Sequence, residues 1–201
     1  MLSIDSPNFK PTKDYVFVHA DKDKTETITL KSGLKLYQDR RFRPMHRGNA
    51  VQDGVVRKVP MKLTSKQPIE IAVGDHIYFH HFTVAPENEV EINGELLYHC
   101  SYSDSIYCKV VDGKIVMLND YNFIEAVAEE EKSTIIITPD SAKKNSSSRG
   151  IIRHVNKELQ ELSVKEGDTI VFTKNSDYDI DVEGTMYYCM KSRDIVAVIT
   201  E

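Results

Sequence analysis

An all-β chain built as two small barrels in tandem is what this sequence predicts, on three observations. First, one phrase occurs twice. Val73-Gly74-Asp75-His76-Ile77-Tyr78-Phe79 leads through Val111-Asp112-Gly113 to Asn122-Phe123-Ile124-Glu125-Ala126-Val127. Near the end, Glu166-Gly167-Asp168-Thr169-Ile170-Val171-Phe172 leads through Val182-Glu183-Gly184 to Arg193-Asp194-Ile195-Val196-Ala197-Val198. Repetition on this scale points to a module written out twice. Second, short β-branched and aromatic runs recur between Gly, Asp and Asn turn signals. Third, amphipathic helix patterns are scarce: Asn156-Lys157-Glu158-Leu159-Gln160-Glu161-Leu162 is the best, and it is barely two turns long.

Taken in order, Tyr15-Val16-Phe17-Val18 opens the first module as a buried strand, and Thr134-Ile135-Ile136-Ile137-Thr138 is its expected counterpart in the second. Arg47-Gly48 before Val55-Val56 is paired with Arg149-Gly150 before Ile151-Ile152. The Gly-Asp steps at 74–75 and 167–168 each turn the chain into a strand, and Asp112-Gly113 has the form of a two-residue hairpin turn, where Asp-Gly tolerates positive φ. The first copy is longer than the second. Its surplus is assigned to a hairpin inserted at about 82–106, with a turn at Asn93-Gly94. A second alignment pairs Ser103–Tyr107 with Ser192–Val196 and makes Asp112–Val127 the extra piece; the first is preferred because it keeps the apolar ending beside the connection. The acidic stretch Ala128-Glu129-Glu130-Glu131-Lys132-Ser133 reads as that solvated connection. The expected organisation is a module over 1–128, a linker at 129–132 and a module over 133–201.

Composition excludes several functions. The chain has 201 residues, 40% hydrophobic and 28% charged, with a formal charge of -5, the wrong sign for a phosphate-binding surface. The basic cluster Arg40-Arg41-Phe42-Arg43 reads as a solvated loop rather than a nucleic-acid patch. Three cysteines, Cys100, Cys108 and Cys189, form an odd count without CxxC spacing, which fits reduced thiols in a cytoplasm. No apolar run approaches the ~18 residues needed to span a bilayer, so neither a membrane nor a secretory route is expected. His76, His80, His81, His99 and Cys100 raise the question of a metal, but on a strand only His76 and His80 share a face, so no metal site is assigned. No dinucleotide fingerprint or nucleophile elbow is present, so neither a cofactor nor enzymatic activity is expected.

Val164-Lys165-Glu166-Gly167-Asp168-Thr169-Ile170-Val171-Phe172 and Met190-Lys191-Ser192-Arg193-Asp194-Ile195-Val196-Ala197-Val198 resemble two stretches of the GroES family of co-chaperonins, the heptameric lids of chaperonin folding chambers. The resemblance covers about 13–81 and 107–127 in the first module and 133–201 in the second. It implies two GroES-like barrels, in which the extra hairpin of the first has no place, a homo-oligomeric ring, and a cytoplasmic co-chaperonin that caps a GroEL-like chaperonin while an unfolded client folds inside. It also implies a long arm between the first strand and the Arg-Gly step, gripping the chaperonin by a glycine and a short apolar triplet. In the first module that arm spans about 21–47, and Gly33-Leu34-Lys35-Leu36 stands in the place of the grip, with Leu34 and Leu36 as anchors. Burying two leucines yields at most ~3–6 kcal/mol, while ordering each arm residue costs about 1–2 kcal/mol. Firm capping then depends on several arms acting at once. The second module's arm, taken as Pro139–Ser148, has no large apolar residue, so one working arm per chain is expected. Both intervals where family lids carry a roof hairpin, 57–68 and 153–162, lack a turn glycine. A lid without the usual roof resembles those encoded by bacteriophages, for which the compartment is the host cytoplasm. The rival reading is a ring-forming viral structural or adaptor protein that binds no chaperonin.

Overall fold

The computed structural model describes residues 3–21, 26–30, 32–38, 50–127 and 148–199. The chain divides into two compact units, Met1–Asn119 and Asp120–Glu201. Each is almost wholly antiparallel β-structure.

Unit 1 contains β1 (Tyr15–His19), β2 (Glu26–Thr29), β3 (Lys35–Gln38), β4 (Asp53–Lys58), β5 (His76–Phe79), β6 (Glu89–Ile92), β7 (Glu95–Ser101), a single helical turn α1 (Tyr102–Ser105), β8 (Ile106–Val111) and β9 (Lys114–Met117). Seven of these strands form one sheet in the order β6-β7-β1-β4-β5-β8-β9, while β2 and β3 pair with each other and, among the described residues, with no further strand. Alternation along β1 and β4 sends Val16, Val18 and Val56 to one face, where they meet Ile77, Phe79, Tyr98 and Ile106 in a closed core.

Unit 2 contains β10 (Tyr121–Ala126), β11 (Arg149–His154), α2 (Lys157–Glu161), β12 (Thr169–Phe172), β13 (Tyr178–Val182), β14 (Thr185–Lys191) and β15 (Ile195–Ile199). Its sheet runs β13-β14-β10-β11-β12-β15, over a core of Ile124, Ile152, Leu159, Ile170, Phe172 and Met190. α2 lies where the sequence predicts its one helix, and Asn156 caps it by accepting from the Leu159 amide.

The two sheets follow one plan: β1, β4, β5, β6, β7 and β8 of unit 1 take the sheet positions of β10, β11, β12, β13, β14 and β15 of unit 2. Even the register slips recur, at Phe17/Val18 and Phe123/Ile124, and again at Tyr78/Phe79 and Val171/Phe172. The all-β expectation is met, with ladders that end at open edges rather than closing into barrels.

This plan corrects four sequence assignments. The hairpin assigned as an insertion at 82–106 is β6–β7, and β13–β14 is its counterpart. The extra strand is instead β9, which has no equivalent among the described residues of unit 2; the structure therefore follows the second alignment in matching the stretch before β8 with that before β15, but not in its surplus of Asp112–Val127, since Tyr121–Ala126 is β10 of unit 2. The two alignments are hard to separate in sequence because the competing turns share one chemistry: Asn93-Gly94, Asp112-Gly113 and Glu183-Gly184 all place both residues at positive φ. The division falls after Asn119 rather than at 129–132, since Tyr121–Ala126 pairs with both β11 and β14 as the opening strand of unit 2. The glycine matching Gly150 is Gly54, not Gly48. A Cβ on Gly54 would stand 2.5 Å from the His19 carbonyl oxygen, and one on Gly150 would stand 2.9 Å from that of Glu125. Glycine lets the second strand lie against the first. The residues 47–48, 129–132 and 134–138 of the original assignments lie outside the described residues.

Candidate functional site

In both units the chain leaves the end of the first strand and returns at the start of the second, its immediate neighbour, so the connecting loop springs from one point on the sheet. In unit 1 this loop is 20–52. Its described part includes the β2–β3 hairpin, in register Ile28↔Leu36 and Thr29↔Lys35. Leu30 N donates to Leu34 O at 2.9 Å, Gly33 N donates to Leu30 O at 2.8 Å, and Gly33 takes φ +82°. This is the geometry of a short hairpin loop that ends in a left-handed glycine. Of the sequence-predicted grip, Gly33 makes the turn, Leu34 follows it, and Lys35 and Leu36 begin β3.

Leu34 is 57% and Leu36 45% exposed, with Leu30 beside them at 42%. Lys35 is exposed as well. A two-stranded ribbon without a sheet to lean on has little stability of its own. Its exposed leucines offer a compact apolar tip, and burying what remains open on Leu34 and Leu36 is worth about 1.5–3 kcal/mol.

In unit 2 the corresponding loop is 127–148, because β10 ends at Ala126 and β11 begins at Arg149. It is closed at its base by Val127 N donating to Arg149 O at 3.5 Å. The sequence of this interval includes Thr134-Ile135-Ile136-Ile137-Thr138, assigned above to an opening strand whose place β10 already fills. Sequence reasoning therefore placed the opening strand of the second unit too late, and the residues 134–138 lie outside the described residues. The signal that could have found it is Asp120-Tyr121-Asn122-Phe123, which repeats Asp14-Tyr15-Val16-Phe17.

At the other end of the β10–β11 pair from the loop of unit 2 lies a buried polar junction. Asn156 N donates to Asn122 Oδ1 at 2.8 Å, Asn156 Nδ2 donates to Ser192 Oγ at 2.7 Å, and Asn122 Nδ2 donates to the same oxygen at 3.3 Å. All three residues are buried. This ties β10 to the cap of α2 and to the turn before β15.

The histidines weighed as metal ligands have separate tasks. His76 Nε2 lies 3.0 Å from Asp53 Oδ2, His80 Nδ1 accepts from Phe82 N at 3.2 Å, and His99 packs edge-on against Tyr15. Among the described residues no three His, Cys, Asp or Glu side chains gather as a metal site. Burial pushes the Cys100 thiol up to about 12, so it stays protonated and unreactive at neutral pH. No helix of the described residues is long and apolar enough to cross a membrane.

A small antiparallel β-unit with a long loop between its first two strands is the class of module this geometry defines. A family model, the chaperonin 10 kDa subunit, matches residues 114–199. The co-chaperonin GroES of Bacillus subtilis strain 168 is 38% identical over 89 residues, covering 41% of this chain and 95% of the relative. That of Aquifex aeolicus is 32% identical over 96 residues, covering 44% of this chain and 79% of the relative. The chain belongs to the chaperonin 10 kDa family. The match begins ahead of β10, in agreement with β10 as the first strand of the second module.

Proposed function

We propose that this chain is a co-chaperonin that caps the chamber of a GroEL-like chaperonin and assists ATP-dependent folding of a client protein held inside. The observation that carries the proposal is the module matched at 114–199, which includes the whole interval where a co-chaperonin of this family carries its arm. Unit 1, with the same strand order and its own loop in the same place, is a second and more diverged module.

Each chain then has two arms rather than one. The first presents Gly33, Leu34, Lys35 and Leu36. The second presents Ile135, Ile136 and Ile137, an uninterrupted apolar triplet closer to the family's grip than a pair of leucines split by lysine. The chain performs no chemistry; hydrolysis of ATP belongs to the partner. Its place of work is the cytoplasm that houses that chaperonin, the host's cytoplasm if a bacteriophage encodes it. Residues 59–75 contain no strand, and in unit 2 the matching interval holds α2 instead, which supports a lid whose roof is built differently from the usual hairpin.

Size-exclusion chromatography with a GroEL-like chaperonin, with and without nucleotide, tests the proposal. Co-elution is expected only with nucleotide and is expected to disappear in the Ile135→Asp/Ile137→Asp variant. Absence of nucleotide-dependent binding by the unmodified chain would favour the structural or adaptor alternative.

A further inference from the structure

The β2–β3 ribbon has two unlike faces, and the bonds at its tip fix which residue lies on which. Leu30 N donates to Leu34 O at 2.9 Å, so Leu30 and Leu34 stand opposite one another. They continue by one rung the ladder of Thr29↔Lys35 and Ile28↔Leu36. Opposed residues of an antiparallel pair send their side chains to the same face, and successive residues of one strand send theirs to opposite faces. Leu30 therefore shares a face with Leu34, and Leu36 lies on it too, one alternation further along β3. Thr29 and Lys35 share the other face.

Leu30, Leu34 and Leu36 are 42%, 57% and 45% exposed, and Thr29 and Lys35 are exposed as well. One side of the tip is thus aliphatic across both strands, while the other carries a hydroxyl and an ammonium. The turn makes this division possible. Gly33, at φ +82°, donates to Leu30 O at 2.8 Å, and this closure sets Leu30 against Leu34 rather than against Lys35. A slip of one residue would put Leu30 beside Lys35 and split the leucines between the two faces.

By sequence the grip is Gly33 with Leu34, Lys35 and Leu36, and Leu30 lies outside it. In the ribbon it does not. Opposed side chains stand about 4.5–5.5 Å apart at Cβ, so an apolar surface that covers Leu34 and Leu36 meets Leu30 as well. Lys35 is turned the other way, which keeps in water an ammonium that would be costly to bury unpaired.

We propose that Leu30 is a third anchor of the first arm, and that the arm meets a broad apolar surface of the chaperonin with the leucine face of the β2–β3 ribbon while Thr29 and Lys35 face water. This inference rests on the co-chaperonin reading above and adds to it a residue on the strand before the turn. A ribbon already paired in the docking conformation meets part of the ordering cost before contact.

A cross-strand disulfide on the polar face tests it. With Leu30 and Leu34 bonded through their backbones, Thr29↔Lys35 is by alternation a non-hydrogen-bonded pair. Such partners sit about 4.5 Å apart at Cα, within disulfide range, and the native Cys100, Cys108 and Cys189 are buried. Oxidised with no chaperonin present, Thr29→Cys/Lys35→Cys is expected to close an internal disulfide, read as loss of two reactive thiols from the single chain. Leu30→Cys/Lys35→Cys, whose side chains leave opposite faces, is expected to close about tenfold less. Capture is then read by titrating the ATPase activity of a GroEL-like chaperonin. The oxidised ribbon is expected to be captured at least as tightly as the unmodified chain. Leu30→Ala is expected to weaken capture about threefold, as Leu34→Ala does, both alone and within the oxidised ribbon. Lys35→Ala is expected to leave capture unchanged.

An effect of Leu30→Ala that vanishes in the oxidised ribbon would mean that Leu30 only holds the turn, and would overturn the proposal. Loss of capture on oxidation, or equal closure by the two cysteine pairs, would overturn it too. A chain whose disulfide closes in this register yet is captured with no nucleotide would instead overturn the functional reading, and the third anchor with it.

Discussion

Where β10, α2 and the turn before β15 meet in unit 2, the space is filled by Asn122, Asn156 and Ser192, all buried and bonded to one another. The matching positions in unit 1 are Val16, Pro60 and Tyr102. There the aliphatic and aromatic side chains fill the space, and the Tyr102 hydroxyl alone is polar, accepting from Glu70 N at 3.0 Å. The same strand order thus accommodates an apolar junction or a polar one. The polar solution is safe only while complete, because a buried amide that loses its partner retains the cost of its desolvation. Edges and loops differ as well: unit 1 covers its last edge with β9 and has a split pair of leucines, while among the described residues β15 has a strand on one side alone, and the sequence of unit 2's loop has three consecutive isoleucines.

The largest expected effect breaks the comparison of the loops. Ile135→Asp/Ile137→Asp is expected to weaken chaperonin capture at least 100-fold, and Leu34→Ala/Leu36→Ala only about 10-fold, since roughly 3 and 1.4 kcal/mol of contact are lost per arm. Titration of the chaperonin's ATPase activity reads both. Equal effects would mean that the two arms grip alike.

Next comes the strand crossing that both units share. Gly150→Val and Gly54→Val push a side chain into the backbone of the preceding strand, and each is expected to destabilise its own unit by about 3 kcal/mol or more. Denaturant unfolding followed by hydrogen exchange would assign the loss to one unit or the other.

Asn156→Ala removes the cap of α2, leaving the Leu159 amide without its side-chain acceptor and Ser192 Oγ without the Asn156 Nδ2 donor, an expected loss of about 2–3 kcal/mol. Pro60→Ala at the matching place in unit 1 is expected to cost about 1 kcal/mol or less. The difference between these two variants measures how much more the polar junction has at stake.

The smallest effect concerns pH. Burial lowers His154 below the ordinary histidine value, only partly opposed by Glu166, whose carboxylate lies 3.6 Å away. The unfolded chain accepts a proton at about 6.5, while the folded unit resists it. The stability due to a neutral His154 is therefore complete above that pH and is lost as pH falls through the lower folded value. A shallower acid limb in the unfolding curve of His154→Gln than in the unmodified protein is the expected result. Unit 1, which has Lys58 at the matching position, lacks this dependence.

Much of the architecture was legible because it depends on local chemistry. Gly-Asp before Ile77 and Ile170 announced strand entries, and these glycines do take φ of +96° and +98°. Asn93-Gly94 and Asp112-Gly113 were recognisable as hairpin turns, and Asn156 as the start of a helix. What stayed hidden was which like element pairs with which. Three x-Gly turns of equal chemistry cannot be ranked without seeing their strands bonded, and Thr134–Thr138 has as strong a β pattern as Tyr121–Ala126. The candidate site suffered most, because an arm is defined by the strands on either side of it. Taking Thr134–Thr138 as the opening strand shortened the interval between the first two strands of unit 2 from 127–148 to 139–148.

Alternation, turn residues and the repeated phrase by themselves determined an all-β chain with two like halves, because side-chain period and positive φ are properties of neighbouring residues. Tertiary structure alone decided that Tyr121–Ala126 opens the second unit, that the extra strand is β9, and that one edge is covered while the other is open. Those outcomes depend on hydrogen bonds between segments far apart in the chain, where a β pattern says that a strand will pair but not with which partner.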